Sequence, residues 1–303
     1  MRTQAECISC FQRQALTAAR LSTSDPDVQQ LVMDKAARLL SRIDLSKSPP
    51  ENAVALYGLI AELTGDHDPF ARLKRESNDF ALQLREMVQE RIDEAENPLY
   101  TAVRYAIAAN IIDYGASHEF DALQTLSRCL EEPLEIDDFA MLHREVTGPA
   151  GKNILYLADN CGEIVFDSLL VKQLQQLGHT VTVAVRGKEI LNDATMESAA
   201  EAGMDALCRV ISNGSSCPGT PVGSCSRELQ DAFAHADIII SKGQGNFETL
   251  SETDRPIYFL LTVKCAVVAN HLARLRGIAG GRITGTGEPV LVNKEGLHAG
   301  ATD

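Results

Sequence analysis

Positive charge is scarce in this chain. It has 28 Lys and Arg against 42 Asp and Glu, a net charge of −14 over 303 residues. That deficit argues against non-specific binding to nucleic acid or to an anionic membrane face, because both draw their affinity from basic surface. An anionic small substrate remains open, since a bound cation can reverse the field of one pocket. Long hydrophobic runs are lacking too: no stretch approaches the roughly 20 apolar residues of a membrane span. The start, "MRTQAECISCFQRQ", is polar and has no apolar centre of the secretory kind. Eight cysteines in a chain this long are not a disulfide scaffold, so reduced thiols and a cytoplasmic location are expected. Internal repeats and low-complexity tracts are absent. A hydrophobic fraction of 45% is enough for a buried core and too high for a disordered chain.

The pattern changes at about Gly148. Before it, "DVQQLVMDKAARLLSRI", "PENAVALYGLIAELTG" and "LYTAVRYAIAANIID" space apolar residues three and four apart, as helices do. Asp25-Pro26, Ser48-Pro49-Pro50, Asp68-Pro69 and Asn97-Pro98 punctuate them as starts or breakers, and no strand stands out. After it, "NILYL", "TVTVAV", "CRVIS", "ADIIIS" and "PIYFLLTV" are short continuous apolar runs separated by helical segments, and "PVLVN" adds one more. Strands alternating with helices predict a doubly wound, mostly parallel sheet in an α/β/α sandwich. We therefore expect a helical domain over 1–148 and an α/β domain over 149–303. Ligands in such sheets gather at the carboxyl ends of the strands. There lie "ADNCGE", "RGKEILND", "SNGSSCPG", "SKGQGNFE" and "KC".

"LADNCGEIVFD" puts Asp159, Asn160, Glu163 and Asp167 within nine positions and supplies no basic residue. Like charges so close repel, so something positive is expected among them. Asp159 and Asn160 offer hard oxygen ligands at a strand end, and Asp193 is the candidate for a third. Oxygen donors of this kind suit Mg²⁺ or Mn²⁺ better than zinc. The competing reading is a helix cap, with Glu163 completing a capping box. In "SKGQGNFE", Lys242 beside Gly243, Gly245 and Asn246 has the general form of a phosphate cradle, with lysine and backbone N–H groups as donors. It has neither Walker spacing nor a dinucleotide fingerprint, and alone it reads as an ordinary strand-to-helix turn. On one rim with a carboxylate site it reads better as a phosphate site, because a divalent cation plus a lysine is the minimum for binding a phosphomonoester.

Asn110 in "AANIIDYG" and the Asp66-His67-Asp68 group each read locally as a helix terminus. Cys7 and Cys10 form a C-x-x-C that admits a second, structural metal, although such sites need further ligands. Cys217 and Cys225 have the wrong spacing for a finger. Cys129, Cys208 and Cys265 read as small buried apolar residues.

The order of these motifs is distinctive. The C-x-x-C start, "AANIID", "LADNCGEIVFD", "VRGKEILNDAT" and "ADIIISKGQGNFE", followed by "KC", resembles the family once called domain of unknown function 89, now described as metal-dependent damage-control phosphatases. The C-x-x-C is similar to its prokaryotic branch. The resemblance implies a helical N-terminal region on a doubly wound α/β domain. It implies a divalent metal (Mg²⁺, Mn²⁺, Co²⁺ or Ni²⁺) on Asp159, Asn160 and Asp193, with phosphate on Lys242 and Asn110 lining the pocket. Small phosphorylated metabolites, sugar phosphates among them, would be the substrates. The nucleophile would be water or Asp159, with Glu163 positioning water. Two other readings stand beside this one: a non-catalytic binder of a phosphorylated metabolite, and a methyltransferase, which lacks support in a glycine-rich first loop.

Overall fold

The computed structural model describes residues 1–110, 130–278 and 281–294. Asp113, Cys129 and the tail beyond Lys294 lie outside the described residues.

The breaker dipeptides open helices. Asp25 accepts a hydrogen bond from the Asp27 N–H and leads into α2 (Pro26–Leu40). Ser48 and Glu51 form a reciprocal capping box at α3 (Pro49–Thr64), and Asn97 caps α5 (Pro98–Ala108). Each cap satisfies N–H groups that a helix start leaves unpaired. With α1 (Cys7–Ser22), α2 and α3 close a small core around Phe11, Val32, Leu56 and Ile60. The longer α4 (Ala71–Glu94) and α5 belong to a different core: Leu84, Val88, Val103 and Ile107 pack with Val165, Phe166 and Leu170 of the helix Glu163–Gln176. One apolar cluster therefore runs across the residue-148 boundary.

Among the described residues the sheet has seven strands in the order β1-β7-β6-β5-β2-β3-β4. β2 (Asn153–Leu157), β3 (Thr180–Val185), β4 (Arg209–Ser212), β5 (Ile238–Lys242) and β6 (Tyr258–Val263) run parallel, and β7 (Glu288–Asn293) pairs antiparallel with β6. Every residue of β5 and β6 is buried, which is why these strands read as unbroken apolar runs. Successive side chains alternate between two cores. Tyr156, Ile238 and Ile240 face the layer of α4 and α5. Leu157, Ile239 and Phe259 face the helices Arg227–His235 and Ala266–Arg276. The result is a helix–sheet–helix sandwich with a further helical region at the N-terminus.

One element lies where no strand was expected. Ile136–Asp137 forms the two-residue edge strand β1, parallel to β7. Two residues carry no periodicity to read, so only the tertiary pairing reveals it.

β2 is flanked by β3 on one side and β5 on the other. The chain leaves β2 in one direction and later returns to its opposite side, so the strand order reverses between β2 and β5. Loops diverging at such a reversal open a crevice at the carboxyl ends of the strands.

Candidate active site

Asp159 follows β2, Arg186 follows β3 and Lys242 ends β5, so the crevice collects one charged group from each of three neighbouring strands. Asp159, Asn160, Glu163, Asp193, Arg186, Lys242, Asn246 and Asn110 are all buried.

The cations missing from "LADNCGEIVFD" come from far along the chain. Arg186 donates from one guanidinium nitrogen to Asp159 Oδ1 at 3.1 Å and from Nε to Asp193 Oδ2 at 2.5 Å. Its third nitrogen donates to Asn246 Oδ1 at 3.1 Å and Thr220 Oγ1 at 3.3 Å. Lys242 Nζ lies 2.8 Å from Glu163 Oε2 and 3.1 Å from Asp167 Oδ1. Burial opposes the lysine's charge, but Asp167 and Glu163 more than offset it and hold the ammonium above the ordinary lysine range.

Glu163 is fully buried and hydrogen-bonded at both oxygens. Asn160 donates to Oε1 at 2.8 Å, Asn110 donates to the same oxygen, and Lys242 donates to Oε2. Burial disfavours its charge, yet Lys242 and these donors hold its carboxyl below the usual range, so it is ionised. Asp159 differs. Burial first, then the charges of Asp193 and Glu163, push its carboxyl well above the usual range despite Arg186. Burial also raises Asp193. Asp167 accepts from the Tyr156 hydroxyl at 2.7 Å and is raised by burial to about 6.

The backbone ties the two aspartates together. Ala194 N–H donates to the Asp159 carbonyl at 2.8 Å, and Asn160 and Asp193 form an isolated antiparallel bridge. The capping-box reading does not hold here. The residue before the helix Glu163–Gln176 is Gly162, and no side chain among the described residues caps that end. Gly162 has φ +78°, and a Cβ there would stand 3.1 Å from that of Ser77 on α4. Its N–H instead donates to Asn78 Oδ1 at 2.7 Å, fixing the turn against the helical region.

Gly243 is required by Asp159. Its φ is +79°, and a Cβ would fall 1.8 Å from Asp159 Oδ2. Gly245 answers to another neighbour, since its Cβ would meet the Pro218 carbonyl at 2.0 Å. Asn246 is a strut: it donates to the Ala158 and Lys242 carbonyls and accepts from Arg186 and Thr220. Asn110 reaches in from the end of α5, and among the described residues its Oδ1 is buried without a partner.

Four buried carboxylates (Asp159, Glu163, Asp167 and Asp193) thus surround two buried cations. Without a further cation Asp159 and Asp193 are pushed toward their neutral forms; a divalent cation would let both ionise, and two aspartates with an amide between them form a hard-oxygen donor set. That arrangement fits the metal expected from the sequence. Among the described residues no group of three or more His, Cys, Asp or Glu is disposed to hold a metal, and the candidate set contains only two such side chains. Cys7 and Cys10, half-buried and exposed at the start of α1, gain no such third ligand. Cys217 and Cys225 are buried free thiols, pushed by burial to about 12 and about 11.

The sequence reading missed Arg186 and left Asp167 without a role. The signal for Arg186 was present: an arginine ending an apolar strand, on the rim where carboxylates lacked a partner.

The family described as damage-control phosphatase ARMT1-like domain matches residues 3–277. A damage-control phosphatase of Pyrococcus horikoshii is 37% identical over 283 residues, spanning 91% of this chain and 96% of the relative. Another damage-control phosphatase, from Archaeoglobus fulgidus, is 32% identical over 275 residues, spanning 88% and 93%. The crystal structure of a Pyrococcus horikoshii protein of the domain of unknown function 89 family superposes with a TM-score of 0.87 at 32% identity, covering 97% of this chain and 99% of that one.

Proposed function

Because the chain belongs to the damage-control phosphatase family with the ARMT1-like domain, we propose that it is a metal-dependent phosphatase acting on small phosphomonoesters, sugar phosphates or related metabolites among them. The observation that carries this reading is the excess of buried carboxylates over cations at the switch point of the sheet.

Asp159, Asn160 and Asp193 would hold the divalent cation, whether Mg²⁺, Mn²⁺, Co²⁺ or Ni²⁺. When bound, it would supply neutralisation of charge developing on the phosphoryl group. The remaining chemistry belongs to the chain. Arg186 orients both aspartates from behind. Lys242 directly precedes the glycine turn, and sharing its charge between Glu163, Asp167 and a phosphoryl oxygen would bind the ester. Gly243, lacking a Cβ, lets that turn close on Asp159. Glu163 is ionised and fixed at both oxygens, a geometry suited to orienting water by hydrogen bonding. Both oxygens of Asp159 accept hydrogen bonds, from Arg186 and Asn160, which favours a ligand over a nucleophile.

The test is phosphate release from a panel of sugar phosphates and p-nitrophenyl phosphate. Metal-stripped protein receives each divalent ion singly, with Asp159→Asn as control. The expected result is metal-dependent release that vanishes in the variant. Metal and phosphate ester both bound, with no release from any ester, would instead support a binding protein.

A further inference from the structure

A cleft of about 490 Å³ lies between the turn joining α3 to α4 and the loop 188–191. Tyr57 and Leu191 are among its apolar walls, while His67, Lys188, Ser216 and the carboxylates of Asp66, Asp68 and Glu189 are its polar positions. The volume and this mixture are those of small-molecule sites: a hydrocarbon-lined body with a few placed polar groups.

One wall of the cleft is tied to the acidic cluster: Asp193 N–H donates to the carbonyl of Ile190, a lining residue, at 3.1 Å. Loop 188–191 spans the interval between Arg186 and Asp193, both inside that cluster. Gly187 N–H donates to the Ser215 carbonyl at 2.9 Å, next to Ser216, and the same loop brings Thr220 to Arg186. On the far side, Lys74 Nζ pairs with Asp68 at 2.6 Å and with Glu189, which pins the α3–α4 turn to the loop. Leu191 has φ +47°, the only non-glycine residue with positive φ among the described residues, and it packs against the α1–α3 core. Such a conformation is unfavourable for leucine and persists only where its surroundings fix it. Here it sets one wall of the cleft.

We propose that this cleft takes up an apolar or aromatic segment of the ester's alcohol, out of reach of a three-carbon polyol, and so selects alcohols bearing such a segment over bare polyols. This rests on the phosphatase reading above. His67, Lys188 and Ser216 contact polar substituents on that segment, while Tyr57 and Leu191 pack its carbon skeleton.

Gly58 gives a clean test. It lies inside α3 on the cleft, its φ is not positive, and a Cβ there meets nothing within 4 Å. Gly58→Leu should fill the cleft and fold at least as well, because glycine is a poor residue for a helix interior. The experiment compares kcat/KM of variant and wild type on 1-naphthyl phosphate and on glycerol 2-phosphate. Taking the variant-to-wild-type ratio on each ester removes their different leaving groups. The expected result is a loss of tenfold or more on naphthyl phosphate, carried mainly by KM, with glycerol 2-phosphate turnover within twofold and an undiminished Tm. Equal ratios on the two esters, with wild type active, would overturn the cleft assignment alone. Wild type inactive on both esters with every metal would overturn the phosphatase reading, and this proposal with it.

Discussion

Arg186 donates to Asp159 Oδ1 at 3.1 Å across 27 residues of sequence, joining the ends of two adjacent strands inside the protein. The same guanidinium holds Asp193, so one side chain aligns both aspartates of the candidate metal site. Arg186→Met removes that charge and leaves two buried carboxylates facing each other. Breaking a buried pair costs about 3–5 kcal/mol. The urea midpoint of the metal-free protein should fall accordingly, and Asp193→Asn in the same chain should recover part of the loss. An unchanged midpoint in Arg186→Met would contradict the pairing.

Gly243→Ala is expected to be harmful for two reasons at once. The backbone has φ +79° and ψ 166°, a region open essentially to glycine alone. The new methyl would also overlap Asp159 Oδ2. Thermal denaturation should register a loss of about 1–3 kcal/mol, and phosphate release should fall with it. Gly223→Ala is the control, since a Cβ there meets nothing within 4 Å. Equal stability of the two variants would rule out the close approach.

Glu248 offers a pH test away from the acidic cluster. Burial raises its carboxyl to about 7 from an ordinary 4.5, with Gln244 as the opposing hydrogen-bond donor. Between about pH 4.5 and 7 the folded protein therefore holds a proton that the unfolded chain has lost. Linkage then makes stability fall as pH rises through that window and level off above it. Glu248→Gln removes the effect while keeping an acceptor for Gln244. The stability of the variant relative to wild type should grow from pH 4.5 to pH 8 by up to roughly 3 kcal/mol. A difference that stays flat with pH would contradict a buried, proton-retaining Glu248.

How much of this was legible before folding depends on the kind of signal. β2 to β6 could be read because strands buried on both faces must be apolar throughout. The rim could be read because polar residues after such strands have only the carboxyl ends to occupy. Asp159, Glu163 and Lys242 meet there as that logic requires. Arg186 was not read as a partner because a strand-end arginine looks the same whether it faces solvent or two carboxylates. β1 left no periodic trace. Asn78 was hidden inside the helical pattern of α4, where its bond to Gly162 N–H depends on tertiary packing alone. The role of Gly245 was likewise invisible, because Pro218 approaches it from another loop.

The measurement nearest the central claim is calorimetric titration of the metal-stripped protein with Mn²⁺, comparing wild type with Asp193→Asn. One ion should bind per chain in wild type, binding should weaken at least a hundredfold in the variant, and the ion should raise Tm only in wild type. Stoichiometric binding of equal affinity in both proteins, or none in either, would contradict the claim that Asp159, Asn160 and Asp193 hold a divalent cation.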